Sequence, residues 1–283
     1  SAASDVYKRQ PLHLRAALSL PIPPVTKLRA ELTQPAPGAM PWREFIRQRS
    51  HSVHFPQITQ DDTAFILYTS GTSGKPKGAP LTHGNIVSVL KAGMEWLEDW
   101  GAVREKVLGV LPMFHIYGLA LNYALPLSIG AEMVLVPAPK PKLYQAAITK
   151  TRPTVLPGVP TLYDKIIEWA VESNADLSSI HTSISGASTL PVETIERWEN
   201  ATGGRLIEGY GLTETAPILA GNPLDGTRRP GYIGLPFPNT EIRIADPQDP
   251  SRTMPDGEPG ELLARGPQVL SLIHISEPTR LRR

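Results

Sequence analysis

Cysteine does not occur among the 283 residues, which excludes disulfides and thiol catalysis and allows a reducing compartment. An excess of either charge is also missing: 28 Lys and Arg face 27 Asp and Glu, a formal net charge of +1. That balance gives no strong attraction to nucleic acid or to an acidic membrane surface. No apolar run is long and clean enough to span a membrane. The most apolar region, Val107 to Val136, is broken by Pro112, His115, Pro126 and Gly130 and reads as strand, loop, helix and strand. Internal repeats and low-complexity segments are absent as well. What is present is a hydrophobic fraction of 41%, enough for a real core, in a length that suits one large domain or two small ones.

The most informative stretch is Tyr68-Thr69-Ser70-Gly71-Thr72-Ser73-Gly74-Lys75-Pro76-Lys77-Gly78. It follows Ala64 to Leu67, which reads as a buried strand, and precedes Leu81 to Asn85 and then Ile86 to Leu90, which reads as a helix start. Strand, glycine-rich hydroxyl loop and helix form the layout of a phosphate-binding turn. Glycines let backbone N–H groups approach an anion, hydroxyls add donors and lysines add positive charge. A mobile polar loop between two core elements is the plainer alternative. The Walker spacing fails, because two residues separate Gly71 from Gly74 and Lys75 is followed by Pro76.

From Thr63 onward strands and helices alternate. Strands are expected at Lys106–Leu111, Glu132–Val136, Thr154–Leu156, Ser183–Ser185 and Arg205–Ile207. Helices are expected at Leu119–Leu127, Leu143–Lys150, Thr161–Val171 and Val192–Ala201, with a short one at Trp42–Ile46. The fold class is therefore α/β, a mostly parallel sheet flanked by helices, with ligands at loops beyond the carboxyl ends of strands. After Gly231 the texture changes to Gly/Pro turns and short strands at Glu241–Ala245 and Glu261–Ala264, which suggests a small β-rich subdomain.

Three further loops can carry chemistry. In Glu208-Gly209-Tyr210-Gly211-Leu212-Thr213-Glu214-Thr215, Tyr210 offers a flat face, Thr213 a hydroxyl and Glu214 a hard oxygen for Mg²⁺, although a Gly-Tyr-Gly turn is often only a turn. In Leu111-Pro112-Met113-Phe114-His115-Ile116-Tyr117-Gly118 the lone His115 reads first as a satisfied core histidine. In Ser185-Gly186-Ala187-Ser188-Thr189-Leu190-Pro191, small residues at a strand end let a flat ring approach the backbone, and the same stretch serves as a helix start. Leu156-Pro157-Gly158-Val159-Pro160-Thr161 also reads simply as a helix start.

Taken in order, these loops resemble the signature segments of the adenylate-forming (AMP-binding) superfamily, which includes acyl-CoA synthetases, luciferases and peptide-synthetase adenylation domains. The resemblance implies that the first loop, Thr69, Ser70, Gly71, Thr72, Ser73, Gly74, Lys75, Lys77 and Gly78, wraps the triphosphate of ATP, with Lys77 weighted above Lys75. It implies adenine contacts at Gly186, Ala187 and within Glu208, Gly209, Tyr210 and Gly211, with Tyr210 stacking on the base. Thr213 is placed at the α-phosphate, and Mg²⁺ on Thr69 and Glu214. His115 borders the substrate carboxylate, and Gly158 and Val159 line the acyl pocket. Lys77, His115, Thr213 and Glu214 are the residues assigned to catalysis. Gly231 to Glu241 matches a further family segment and carries no catalytic role.

The activity implied is ATP-dependent conversion of a fatty acid to an acyl adenylate, then thioester formation with coenzyme A, most like medium- to long-chain acyl-CoA synthetases. An acyl–carrier-protein ligase shares every loop. An amino-acid adenylation domain is weakened by the lack of an acidic anchor for an amino group, and a non-catalytic nucleotide-binding domain is the rival outside enzymes. A cytoplasmic protein is expected, with peripheral membrane contact and oligomeric state left open and no nucleic-acid partner.

Both ends read as foreign. The codons GAT GTG TAT AAG AGA CAG spell Asp5-Val6-Tyr7-Lys8-Arg9-Gln10, and their reverse complement spells Leu270-Ser271-Leu272-Ile273-His274-Ile275. An inverted repeat of this kind marks a sequencing-library adaptor. The expected organisation is therefore 1–10 adaptor-derived, 11–60 partial upstream connector, 61–230 ATP- and acyl-binding region, 231–269 start of the β-rich subdomain and 270–283 adaptor-derived. The family's ribose-binding aspartate, hinge and lysine-bearing C-terminal domain are expected beyond Val269, so this piece is expected to be weakly active or inactive. Resequencing the source locus should return other residues at both ends; the same residues there would refute this reading.

Overall fold

The computed structural model describes residues 38, 40, 42–45, 47, 56–69, 77–97 and 104–270. The chain divides into two units, Ser1–Gln57 and Ile58–Arg283. In the first, the described residues include a short helix, α1 (Trp42–Phe45), where one is expected, with Glu44 and Phe45 exposed. The inverted-repeat residues, apart from Leu270, lie outside the described residues.

The second unit begins with a hairpin, β1 (Thr63–Thr69) and β2 (Lys77–Thr82), paired antiparallel from Thr63–Thr82 to Thr69–Lys77. This corrects the expected strand–loop–helix layout. The glycine-rich segment joins two strands, and residues 70–76 lie outside the described residues. In β2, Ala79 and Leu81 are buried while the intervening Pro80 is half-buried, the period-two pattern of a strand with one packed face. The helix starts only at His83, because Thr82 and Asn85 form a reciprocal cap: Thr82 Oγ1 accepts the Asn85 N–H at 3.1 Å and Asn85 Oδ1 accepts the Thr82 N–H at 3.0 Å. Nor is β1 buried. Ile66 is 58% and Tyr68 75% exposed, because β1 packs Phe65 and Leu67 against the Ala79 and Leu81 cluster and turns the alternate side chains outward.

After α2 (His83–Trp96) comes the main sheet, built from β3 (Lys106–Gly109), β4 (Glu132–Leu135), β5 (Val155–Gly158), β6 (Thr182–Ser185), β7 (Arg205–Tyr210), β8 (Ala220–Gly221) and β9 (Leu235–Pro236). The strand order is β4-β3-β5-β6-β7-β8-β9, parallel from β4 to β7 and antiparallel beyond. The chain runs outward from β3 to β4, then returns to the other side of β3 at β5. That reversal opens a crevice at the carboxyl ends of the two strands. The β3–β5 ladder contains the single register pair Val107–Val155, which leaves room for Pro157, a residue with no N–H to donate, inside β5. A separate antiparallel pair, β10 (Glu241–Ala245) and β11 (Glu261–Arg265), supplies the β-rich end, whereas β9 extends the main sheet.

Between β3 and β4 the expected helix is longer and interrupted: α3 (Ile116–Leu119), a π-helical turn (Ala120–Ala124) and α4 (Leu125–Ile129). The other helices are α5 (Pro141–Thr151), α6 (Pro160–Ser173) and α7 (Val192–Thr202). Prolines open α5 and α6, where the missing N–H costs nothing, and α5, α6 and α7 end on left-handed residues, Arg152, Asn174 and Gly203. One sheet face packs Leu108, Leu156 and Leu206 against Tyr163, Ile166 and Trp198 of α6 and α7. Successive β7 residues point oppositely, so Ile207 joins Leu97, Leu125 and Ile184 on the other face.

Candidate functional site

The loops after β3, β6 and β7 converge on one cavity of about 380 Å³. Of the residues singled out by sequence, Thr69, His115, Gly186, Ala187, Glu208, Gly209, Tyr210, Gly211, Thr213 and Glu214 line it. Lys77 and Gly78 are exposed on β2 and do not line it. Gly158 and Val159 lie outside its wall too, and Ser70 to Lys75 fall outside the described residues.

The floor beneath Gly186 is set by Tyr117. Its hydroxyl lies 2.6 Å from the Ile184 carbonyl and 3.2 Å from that of Gly158. Burial holds this phenol well above the usual range, with the Gly158 hydrogen bond acting the other way, so it stays a donor. A Cβ at Gly186 would come within 3.2 Å of the Tyr117 ring, and the Gly186 N–H donates to the Gly158 carbonyl at 3.3 Å. Gly158 thus supports the platform from below. The next residue, Ala187, is exposed at φ +68°, a left-handed conformation costing roughly 1 kcal/mol for a non-glycine.

The loop after β7 is folded back on itself. Leu212 N–H donates to Thr215 Oγ1 at 2.9 Å and Thr215 N–H to the Leu212 carbonyl at 3.1 Å, closing a 3₁₀ turn over Thr213–Thr215. That turn carries Thr213 and Glu214 to the cavity. Its far side is tied by Leu270, whose N–H donates to the Glu214 carbonyl at 2.8 Å and whose side chain is buried with Leu81, Val89 and Ile116. Thr69, at the end of β1, reaches the same cavity. Thr69 and Glu214 therefore offer two hard oxygen donors at one mouth. That set suits Mg²⁺, which takes few protein ligands and completes its shell with water and phosphate. Among the described residues no three His, Cys, Asp or Glu side chains cluster as an all-protein metal cage.

His115 caps α3: its Nδ1 accepts the Tyr117 N–H at 3.2 Å. In the neutral ring the proton then sits on Nε2, which makes this edge a donor to a carboxylate or acyl phosphate. On β7, burial raises the Glu208 carboxyl pKa, opposed by the Leu190 N–H at 3.4 Å. A raised carboxyl binds protons more tightly folded than unfolded, so its ionisation costs stability as pH climbs from the ordinary glutamate range through the raised value. Glu208→Gln should therefore melt progressively higher relative to the wild type as pH climbs through and above the ordinary glutamate range. Parallel melting curves across that range would contradict this.

Sequence reading missed the apolar end of the cavity. Val89, Leu90, Gly93 and Trp96 line it from α2 and Leu97 from just past its end, Leu121 and Leu125 from the π turn and α4, and Gly221 and Phe237 from the β8–β9 region. The signal was present in α2, where Ile86, Val89, Leu90, Gly93 and Leu97 follow a helical period. No local pattern links that stripe to Phe237.

The AMP-binding enzyme family model matches residues 8–273. The long-chain-fatty-acid–CoA ligase of Bacillus subtilis (strain 168) is 39% identical over 227 residues, covering 79% of this chain and 40% of that protein. Among solved structures, apo MatB from Rhodopseudomonas palustris gives a TM-score of 0.69 at 31% identity, over 79% of this chain and 43% of that one. A benzoate CoA ligase from Burkholderia xenovorans LB400 gives 0.72 at 30% identity, over 83% and 46%. The chain spans about two fifths of the length of the curated relatives it matches. With the loops after β3, β6 and β7 on one cavity and the family model covering most of the sequence, this chain belongs to the AMP-binding enzyme family.

Proposed function

We propose that this cavity serves ATP-dependent activation of a fatty acid, as part of an AMP-forming acid–thiol ligase. The observation that carries the reading is one cavity with a polar mouth of Thr69, His115, Thr213 and Glu214 and an apolar interior of Val89, Leu90, Leu121 and Leu125. A nucleotide and a carboxylate meet at the mouth while an alkyl chain lies among the apolar residues. The long-chain ligases among its relatives support the same substrate class.

In the first step a carboxylate oxygen attacks the α-phosphorus of ATP, the bond to the bridging oxygen breaks, and pyrophosphate leaves with the electron pair. In the second, the coenzyme A thiolate attacks the acyl carbon and AMP leaves. Gly186 and Ala187 form a flat approach for adenine, Tyr210 stacks on it, and Thr213 donates to the α-phosphate. His115 Nε2–H holds the carboxylate, which is already ionised at neutral pH and needs no base. Thr69 and Glu214 would hold Mg²⁺, which supplies charge neutralisation beside the phosphates. Ser70 to Lys75, with Lys77 and Gly78, bind the β- and γ-phosphates. The rate gain comes from positioning and from fixed dipoles and charges at the reacting phosphorus. Peripheral contact with a bilayer fits a lipid-like substrate; no helix among the described residues is long and apolar enough to cross one.

ATP–pyrophosphate exchange tests the reading. The expected result is palmitate-dependent exchange by the polypeptide read through both junctions and weak exchange by the present chain. No acid-dependent exchange by either one overturns the activity. Robust exchange by the present chain alone overturns the claim that it acts poorly by itself.

A further inference from the structure

Gly93 sits inside α2, where glycine lowers helix stability relative to alanine. Packing does not demand it: a Cβ there would meet only Leu125 Cδ1, at an ordinary 3.9 Å. What a larger side chain at this position would enter is the cavity that Gly93 lines.

One helical turn on, Trp96 lines the same cavity. Its indole stacks on Phe237 with ring centres 4.5 Å apart and planes 19° from parallel, and Nε1–H donates to the Asn222 carbonyl at 3.2 Å. Phe237 lies against Gly221, where a Cβ would fall 2.9 Å from its ring. Asn222 is itself fixed: its N–H donates to the Glu208 carbonyl at 2.9 Å, its Nδ2 to the Tyr232 carbonyl at 2.6 Å, and its Oδ1 accepts the Arg229 N–H at 2.9 Å. The aromatic pair is thus held from both sides, as a wall and not as a swinging gate.

The wall stands away from the reacting end. The earlier part of α2 is the part next to Glu214: Val89 lines the cavity and shares a buried cluster with Ala216, two residues on from Glu214. From Val89 to Trp96 the helix axis advances roughly 10 Å at 1.5 Å per residue. The cavity therefore runs along α2 from the carboxylate-binding mouth, past Gly93, to the indole.

We propose that Gly93 and the Trp96–Phe237 pair set the length of acyl chain this site accepts, Gly93 by leaving the lumen open and the stacked rings by ending it. The inference rests on the fatty-acid reading above. Each methylene moved from water into the lumen raises affinity about 4-fold, until the chain meets the wall.

The test is binding of octanoate, decanoate, dodecanoate, palmitate and stearate to the present chain, measured by displacement of anilinonaphthalene sulfonate. Wild type should gain affinity with length up to one acid and then lose it. Trp96→Ala should move that optimum to a longer acid and Gly93→Val to a shorter one, with Trp96→Phe between wild type and Trp96→Ala. Circular dichroism melts identify any variant that fails to fold; if Trp96→Ala does, Gly93→Val and Trp96→Phe decide. An optimum common to wild type and all folded variants overturns the length-setting role and leaves the fatty-acid reading standing. Failure of every acid to displace the dye from wild type overturns the fatty-acid reading, and this inference with it.

Discussion

Gly211→Ala should collapse the site while leaving its chemical groups in the sequence. A Cβ at Gly211 would lie 1.7 Å from the Pro217 carbonyl oxygen and 2.6 Å from its carbon. Those are backbone atoms, so no side-chain rotation relieves the clash, and the two limbs of the loop must separate. Overpacking of this kind costs about 3 kcal/mol or more, which lowers the melting temperature of a domain this size by roughly 6–12 °C. The same separation opens the 3₁₀ turn, so Thr213 and Glu214 leave the cavity mouth together. ATP binding by calorimetry and a thermal melt check both halves. A variant that melts with wild type and binds ATP equally well would show that the loop accommodates the methyl group.

The second large effect is on rate. Glu214→Gln keeps the shape of the turn, since the turn is closed by Leu212 N–H on Thr215 Oγ1 and Thr215 N–H on the Leu212 carbonyl, neither of which uses the Glu214 carboxylate. What it removes is one negative charge and one hard oxygen from the mouth shared with Thr69. In the polypeptide read through both junctions, pyrophosphate exchange should fall roughly 10²- to 10³-fold. The apparent affinity for the fatty acid should change by less than about 2-fold, because the proposed alkyl site lies on α2 and α4 and not on Glu214. Equal exchange rates for mutant and parent would remove Glu214 from the metal role.

The parallel strands were legible because each is a short run of β-branched or leucine residues between turn signals, as in Val107-Leu108 and Ile184. The loops at their carboxyl ends were legible for the same reason. The β1–β2 hairpin was not. Pro80 and the short Ala79–Leu81 alternation carry little strand signal, and the pairing with Phe65 to Tyr68 is a tertiary choice that buries Ala79 and Leu81. At the site, Tyr210, Thr213 and Glu214 were singled out from their residue types together with the resemblance to the family's second signature, and all three line the cavity. Tyr117 was passed over beside His115, because its partners are carbonyls of Gly158 and Ile184 on other strands. Gly211 shows a subtler limit: its sequence context suggests flexibility, whereas the structural requirement is close approach to Pro217. The Trp96–Phe237 stack unites two distant segments through packing alone.

The π turn at Ala120–Ala124 has a consequence for the facing of the lumen wall. An α-helix advances about 100° per residue, so one residue accommodated in a widened turn resets the facing of everything after it. Here that phase places Leu121 and Leu125 on the lumen while Asn122 turns the other way, its Nδ2 donating to the Leu111 carbonyl at 3.0 Å. Tightening the turn to a regular α-helix with every residue kept would rotate α4 by about 100°, carrying Leu125 out of the lumen, whereas deleting one residue within the turn would restore a regular helix and leave the facing of α4 as it is. The shape of the lumen on this side is thus encoded in helical phase as much as in side-chain identity, and the widened turn is what keeps Leu121 and Leu125 together on the cavity.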